Sequence, residues 1–159
     1  MRAISLWQPW ASLWMLNVKA FETRHWATGY RGPLAIHAAQ RVCRDIDEDL
    51  TAIVVDQFGS RWYHALPRGA ILGRARLVNC HPTEYVRFSS MTAALHGVVL
   101  VSEKERTQGN FEVGRFAWEI ADRVPLEQPA PWKGHQGFFQ VPPHVFGMAE
   151  EPRREGELF

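Results

Sequence analysis

The chain has 159 residues, with 18 Lys and Arg against 17 Asp and Glu, for a formal net charge of +1. This length fits one domain with its own core, and the balanced charge argues against a protein that coats long duplexes electrostatically. Any nucleic-acid contact is therefore expected to be local. No apolar run reaches the roughly 20 residues of a membrane span, and no signal-peptide pattern is seen, so a cytoplasmic protein without a membrane partner is expected.

Strand and helix patterns alternate at the start of the chain. They predict strands at residues 2–7, 20–26 and 33–39 and a helix at residues 10–18. Pro9 provides the fixed φ of a first helical turn. In the second strand the two-residue period places Glu22, Arg24 and Trp26 on one face and Thr23 on the other. Glu22 and Arg24 are therefore expected to project together.

The rest of the chain is richer in strands. Acidic residues open a helix over 45–66, which Gly59 and Ser60 are expected to break. A second short helix is predicted over 83–97. Further strands are predicted at residues 69–80, 98–105, 114–124 and 137–141. Six or seven short strands with two or three helices favour an α+β fold, a curved mixed or antiparallel β-barrel flanked by helices. We expect one domain over 1–146 and a polar tail over 147–159.

Metal and cofactor chemistry are not indicated. Cys43 and Cys80 have no CxxC spacing, which favours buried, reduced thiols. The histidines form no HxxxH or HxH arrangement, and neither a P-loop nor a GxSxG motif is present. No metal and no cofactor are therefore expected.

Residues 7–26 carry four tryptophans beside ionic side chains. A nucleobase is held by flat apolar faces, a phosphate by a cation, and a base edge by paired donors and acceptors. These needs are met by six candidates: Gln8, Trp10, Lys19, Glu22, Arg24 and Trp26. In the alternative interpretation, Glu22 and Arg24 form an exposed charge pair and the tryptophans are core residues.

A second group of candidates lies toward the C-terminus. Arg115 and Glu119 share strand parity, so they can repeat the pairing of acid and base on a neighbouring wall. Lys133, His135 and Gln136 lie in a loop bracketed by glycines, where the backbone can approach a ligand closely. The alternative is a plain turn followed by a core strand.

Five segments occur in the order and spacing of the ASCH (activating signal cointegrator homology) domain: 4–26, 30–39, 71–80, 114–120 and 133–139. The resemblance covers about residues 2–141. Lys19, Glu22 and Arg24 match the family's Gly-x-Lys-x-x-Glu-x-Arg signature, and Asn17 stands at the glycine position. Asparagine accepts a left-handed backbone better than most residues, so the tight turn is expected to survive.

The resemblance implies a PUA-like β-barrel with a basic cleft that binds RNA or DNA. Lys19 and Arg24 would then meet phosphate or a base edge, Trp10 and Trp26 would stack, and Arg115 and Lys133 would extend the positive wall. The bound species would be a single-stranded or flipped nucleotide or an RNA end.

Three other functions stay open. One ASCH branch resembles amidohydrolases that deacylate N4-acylcytidine with a lysine, a threonine three residues on and a distant glutamate. Lys19 matches that lysine, but Glu22 occupies the threonine position, so an enzyme would rely on Lys19 and Glu22 acting on a free modified nucleoside. Ribonuclease activity is a further ASCH possibility with no residues assigned. A protein-interaction module would instead use an apolar patch with Trp14 and Trp62.

Overall fold

Eight strands and four α-helices form the part of the chain that the computed structural model describes, residues 1–89 and 97–149. The strands are β1 (Arg2–Gln8), β2 (Phe21–Arg24), β3 (Gly32–Val42), β4 (Ala70–Pro82), β5 (Val86–Phe88), β6 (Val99–Val101), β7 (Phe116–Pro131) and β8 (Phe139–Gln140). The helices are α1 (Trp10–Met15), α2 (Glu48–Phe58), α3 (Trp62–Ala65) and α4 (Glu103–Arg106). Single 3-10 turns cover Thr83–Tyr85 and Pro143–Phe146.

The main sheet has six strands in the order β2-β7-β4-β3-β1-β8. Its pairs are antiparallel except for β1 and β3, which run parallel, and β5 pairs with β6 in a separate two-stranded sheet. The predicted mixture of helices and mixed strands is confirmed. Within the described residues, β2 and β8 are the edges of the main sheet and do not pair with each other, so the predicted closure into a barrel is not confirmed.

Helix α1 is buried between the main sheet and helix α2. Residues Ala11 to Met15 are all buried, and Trp14 is fully enclosed in the main core. The helix ends at Met15 rather than at the predicted Val18, because Asn17 has φ 60° and turns the chain. A left-handed residue after a helix is a common stop signal. Asn17 therefore takes over the turn expected of the signature glycine.

Two side-chain contacts hold the turn that leads into β2. Arg123 donates from Nε to the Trp14 carbonyl at 2.8 Å, a carbonyl at the end of α1 that also accepts from the Asn17 N–H at 3.3 Å. Glu105, buried at the start of α4, accepts from the backbone N–H groups of Ala20 and Phe21 at 2.9 Å each. Since both partners come from distant parts of the chain, the start of β2 is fixed by tertiary contacts.

Strand β2 alternates as predicted. Phe21 packs in a small core with residues of β5, β6 and β7, and the Thr23 hydroxyl accepts from the Asn110 N–H at 2.8 Å on that side. Glu22 and Arg24 point to the opposite side. The sequence period thus identifies which side chains share a face.

Some of the predicted elements differ from the structure. The helix expected over 83–97 is wrong where it can be compared, because this stretch forms a 3-10 turn and strand β5, while residues 90–96 lie outside the described part. The helix over 45–66 is broken as predicted, between Phe58 and Trp62. Strand β7 extends to Pro131, seven residues further than predicted at its C-terminal end. Most of the predicted tail, residues 150–159, is outside the described residues.

Two further observations bear on the predictions. Trp14 and Trp62 are 0% and 8% exposed and lie in core clusters, so the apolar surface patch proposed for them is wrong. Within the described residues, no helix is both long and apolar enough to cross a bilayer.

Candidate functional site

An open cleft of about 1290 Å³ lies where β1, α1 and β2 meet the loop that follows β7. Its walls include four tryptophans and two cationic side chains: Trp7, Trp10, Trp26, Trp132, Arg24 and Lys133. Its volume exceeds what a single nucleotide needs, since ordinary ligand sites span about 300–1,000 Å³. The cleft can therefore accept a planar group together with a neighbouring phosphate.

Three charged residues of the first segment form a chain that leads from the interior to the cleft. The Lys19 ammonium is 1% exposed and forms an ion pair with Glu22 Oε2. The other carboxylate oxygen, Oε1, lies 3.8 Å from Arg24 Nη1. Because Glu22 neutralises only one of the two cations, the chain keeps one net positive charge, and Arg24 is its member nearest the solvent.

Arg24 combines charge with an aromatic neighbour. Its guanidinium carbon is 5.8 Å from the centre of the Trp26 ring, and Nη1 is 3.5 Å from the Ser5 carbonyl oxygen. Burial lowers the pKa of Arg24, the nearby Glu22 carboxylate raises it, and the charge of Arg115 lowers it. A guanidinium stays protonated under such shifts, so Arg24 presents a fixed cation beside a ring.

The tryptophans of the cleft differ in how tightly they are packed. Trp26 is held edge-on by Trp118 and Phe138, with ring centres 4.6 and 5.4 Å away, yet stays partly exposed to the cleft. Trp10 packs against two core clusters and also lines the cleft. Trp7 is 44% exposed. Rigid rings that are partly open to solvent are suited to stacking on a planar ligand.

The sequence model of the ASCH domain matches residues 4–129. The chain belongs to the ASCH domain family. Membership points to RNA binding or a related function. A search of the curated proteins gives no match. In this ASCH domain the signature residues Lys19, Glu22 and Arg24 are the charged chain that ends at the cleft.

Three of the predicted binding residues do not line the cleft: Gln8, Arg115 and Lys19, which is buried in its ion pair with Glu22. Gln8 is fully buried, with Nε2 donating to Ser12 Oγ and to the Pro67 carbonyl and Oε1 accepting from the Ser12 N–H. Its amide is therefore engaged inside the protein. Arg115 does not line the cleft, because it donates to the Asn110 and Thr23 carbonyls.

The predicted pair of Arg115 and Glu119 is wrong. Glu119 Oε2 is instead 3.1 Å from Asn79 Nδ2 and 2.9 Å from His81 Nε2. Lys133 and Gln136, by contrast, are exposed and line the cleft from the loop after β7.

The cleft residues that the sequence analysis did not name as candidates include Ser5, Trp7, His37 and Trp132. Strand alternation offered one usable signal, since Ser5 and Trp7 are two residues apart in β1 and share a face. His37 gave no such signal. It faces the cleft because β3 runs parallel beside β1, with Ser5 and His37 in register, and no local pattern reveals that pairing.

A smaller cavity of about 310 Å³ lies on the other side of Lys19 and Glu22. Its lining includes Thr23 and Gln108, whose buried Oε1 has no hydrogen-bond partner among the described residues. The Thr23 hydroxyl is bound to the Asn110 N–H on the face of β2 opposite Glu22. Lys19, Glu22 and Thr23 all line this cavity, but the Lys19 ammonium is paired with the Glu22 carboxylate and does not contact the Thr23 hydroxyl.

Proposed function

We propose that this ASCH domain, spanning residues 1–146, binds single-stranded RNA or a flipped nucleotide in the large cleft. The observation that carries the proposal is the position of Arg24, a partly buried cation beside the Trp26 ring at the wall of an open cleft. Arg24 would contact a phosphate or a base edge. Trp26 and Trp10 would stack on bases, and Lys133 would contact phosphate from the loop.

Lys19 does not contact the nucleic acid directly in this proposal. Its ammonium is enclosed and paired with Glu22, so it cannot reach a phosphate in the cleft. Lys19 instead orients the Glu22 carboxylate, which in turn sits beside Arg24. Lys19 and Glu22 thereby hold the Arg24 side chain in place.

The expected affinity is modest and depends on salt. Stacking of a base on an aromatic side chain is worth about 1–3 kcal/mol. The logarithm of the association constant falls as the logarithm of the salt concentration rises, and each phosphate contact with a single strand steepens this fall by about 0.7. Arg24 and Lys133 together should therefore contribute a slope of about 1.4.

The proposal is tested with a fluorescein-labelled RNA decamer of mixed sequence, with the DNA decamer of the same sequence in parallel. Fluorescence anisotropy gives the dissociation constant of the wild type, Arg24→Met and Lys133→Ala at several salt concentrations. We expect tenfold or greater weakening for Arg24→Met, and for Lys133→Ala a salt slope lower by about 0.7.

The chain provides a matched control. Lys104 is exposed in α4 and does not line the cleft, so Lys104→Ala removes the same charge as Lys133→Ala at a distant site. If Lys104→Ala and Lys133→Ala weaken binding equally, the attraction is a general effect of charge. If Arg24→Met binds RNA and DNA like the wild type, the cleft is not the binding site.

A further inference from the structure

A serine hydroxyl and a histidine ring meet in the cleft, in positions that nucleotide binding does not use. Ser5 of β1 and His37 of β3 are register partners in the parallel pair, so both side chains leave the sheet on the same face. Ser5 Oγ lies 2.8 Å from His37 Nδ1. Both residues line the cleft, and Ser5 is partly exposed there. A potential nucleophile is thus within hydrogen-bond reach of a potential base.

The other ring nitrogen determines which atom donates. His37 Nε2 is 2.9 Å from the Trp132 carbonyl oxygen, and a carbonyl only accepts. Nε2 therefore carries the proton of the neutral ring, and Nδ1 is left as an acceptor. It follows that the Ser5 hydroxyl donates to Nδ1, while the Trp132 carbonyl fixes the orientation of the ring. A nucleophile bound to a base that is itself oriented by a third group is the arrangement used in covalent catalysis.

We infer that Ser5 and His37 form a nucleophile and general-base dyad that hydrolyses carboxylic esters, an activity beyond the proposed nucleic-acid binding. Ser5 Oγ attacks the ester carbonyl carbon, the C=O π electrons move to oxygen, and the Oγ proton passes to His37 Nδ1. When the carbonyl re-forms, the ester C–O bond breaks and the leaving alkoxide takes the proton from Nδ1. Water then repeats these steps on the acyl-Ser5, releasing the carboxylic acid and restoring Ser5.

The surroundings of the dyad support each step. The Trp132 carbonyl accepts from Nε2 throughout and stabilises the imidazolium that forms. Arg24 Nη1, 3.5 Å from the backbone carbonyl oxygen of Ser5, places a positive charge close to Ser5, whose Oγ bonds to the ester carbon while negative charge develops on the ester carbonyl oxygen. The pKa of His37 is lowered, chiefly by burial. The hydrogen bond to the Trp132 carbonyl raises this pKa, and the charge of His135 lowers it further. The ring is therefore neutral, the form a base requires, at pH 7.

The loop after β7 encloses the dyad. A Cβ at Gly134 would lie 2.5 Å from His37 Cε1 and 3.0 Å from Ser5 Oγ, so only glycine permits this approach. The charged groups that face the pair are Arg24, Glu22 with its Lys19 partner, Lys133 and His135. Since Arg24, next to the Trp26 ring, and Lys133 are cations that line the same cleft, the preferred esters are those with an anionic or aromatic group.

The test is reaction of the full chain with an alkyl fluorophosphonate at pH 7.5, followed by intact mass and peptide mapping. Ser5 Oγ displaces fluoride from phosphorus, and the Oγ proton leaves through His37. We expect one adduct, on Ser5, which is lost in Ser5→Ala and forms about 100-fold more slowly in His37→Gln. Ser60→Ala is the control, because Ser60 is exposed at the connection between α2 and α3 and should not affect labelling.

A second measurement uses the wild type alone and still tests the inference if His37→Gln fails to fold. In the wild type, the labelling rate should fall as the pH drops below the pKa of His37, because the protonated ring cannot accept from Ser5. The inference is overturned if folded wild type gives no adduct on Ser5, or if Ser5 reacts no faster than Ser60, as a purely structural hydrogen bond requires. RNA affinity is measured separately, so either proposal can fail without the other.

Discussion

Glu22→Gln tests the charged chain that underlies the cleft. The substitution keeps the shape of the side chain but removes the charge that neutralises Lys19, whose side chain is 1% exposed. Removing one partner of a buried ion pair costs about 3–5 kcal/mol, because the other charge stays buried without compensation. For a protein of this size each kcal/mol lowers Tm by about 2–4 °C, so we expect a decrease of about 6–20 °C.

Removing the cation at the other end of the charged chain, in Arg24→Met, should be mild. Arg24 Nη1 is 3.8 Å from Glu22 Oε1, and the Arg24 side chain is 20% exposed. Two unit charges about 4 Å apart interact by about 4 kcal/mol at an effective dielectric constant of 20, but Glu22 stays paired with Lys19 when Arg24 is removed, and the desolvation penalty of the Arg24 charge disappears with it. Arg24→Met should therefore change the free energy of unfolding by about 1 kcal/mol or less.

Urea unfolding followed by tryptophan fluorescence measures these free energies for Glu22→Gln, Lys19→Met and the double variant. The free energy of unfolding lost in the double variant should be smaller than the sum of the two single losses by at least about 2 kcal/mol, because the double variant leaves no buried charge unpaired. Lys104→Met, at an exposed lysine, is the control. If the free energy of unfolding of Glu22→Gln is within about 1 kcal/mol of the wild-type value, or if the two single losses simply add, Lys19 and Glu22 do not form a buried ion pair.

Three further predictions concern the backbone and the histidine of the cleft. Gly134→Ala should cost about 1–3 kcal/mol in urea unfolding, since its Cβ would meet the His37 ring, whereas Gly29→Ala, with nothing within 4 Å, should be neutral. Asn17→Ala should lower stability by about 1 kcal/mol and Asn17→Gly should not, because φ is 60° at this position; equal losses would contradict the turn. The pKa of His37 lies below its ordinary 6.5, so below about pH 6.5 the unfolded chain takes up a proton that the folded chain does not. The free energy of unfolding of the wild type should thus decrease when the pH is lowered from 7.5 to 5.5, and that of His37→Gln should decrease less. An equal decrease in the two proteins would contradict a buried neutral ring.

Local sequence patterns predicted the parts of the site that lie within one segment. The two-residue period of β2 correctly places Glu22 and Arg24 together, and the left-handed tolerance of asparagine correctly predicts the turn at Asn17. Both follow from neighbouring residues and backbone geometry. They required no knowledge of which strands pair.

What the sequence could not reveal depends on pairing between distant segments. Glu105 holds the start of β2 across more than 80 residues, and His37 meets Ser5 only because β1 and β3 run parallel. Arg115 has the parity expected for a partner of Glu119, yet nearby carbonyls satisfy its guanidinium first. Gln8 likewise looked available in the sequence, but burial of α1 commits its amide to Ser12 and Pro67.

The most direct test of the nucleotide cleft is the set of indole N–H resonances in a ¹H–¹⁵N spectrum titrated with a short single-stranded RNA. The resonances of Trp10 and Trp26 should shift in a saturable way, because both rings line the cleft. Those of Trp14 and Trp62, which are buried in core clusters and do not line the cleft, should stay in place. If saturating RNA leaves Trp10 and Trp26 unmoved, or shifts Trp62 instead, the cleft does not bind nucleic acid.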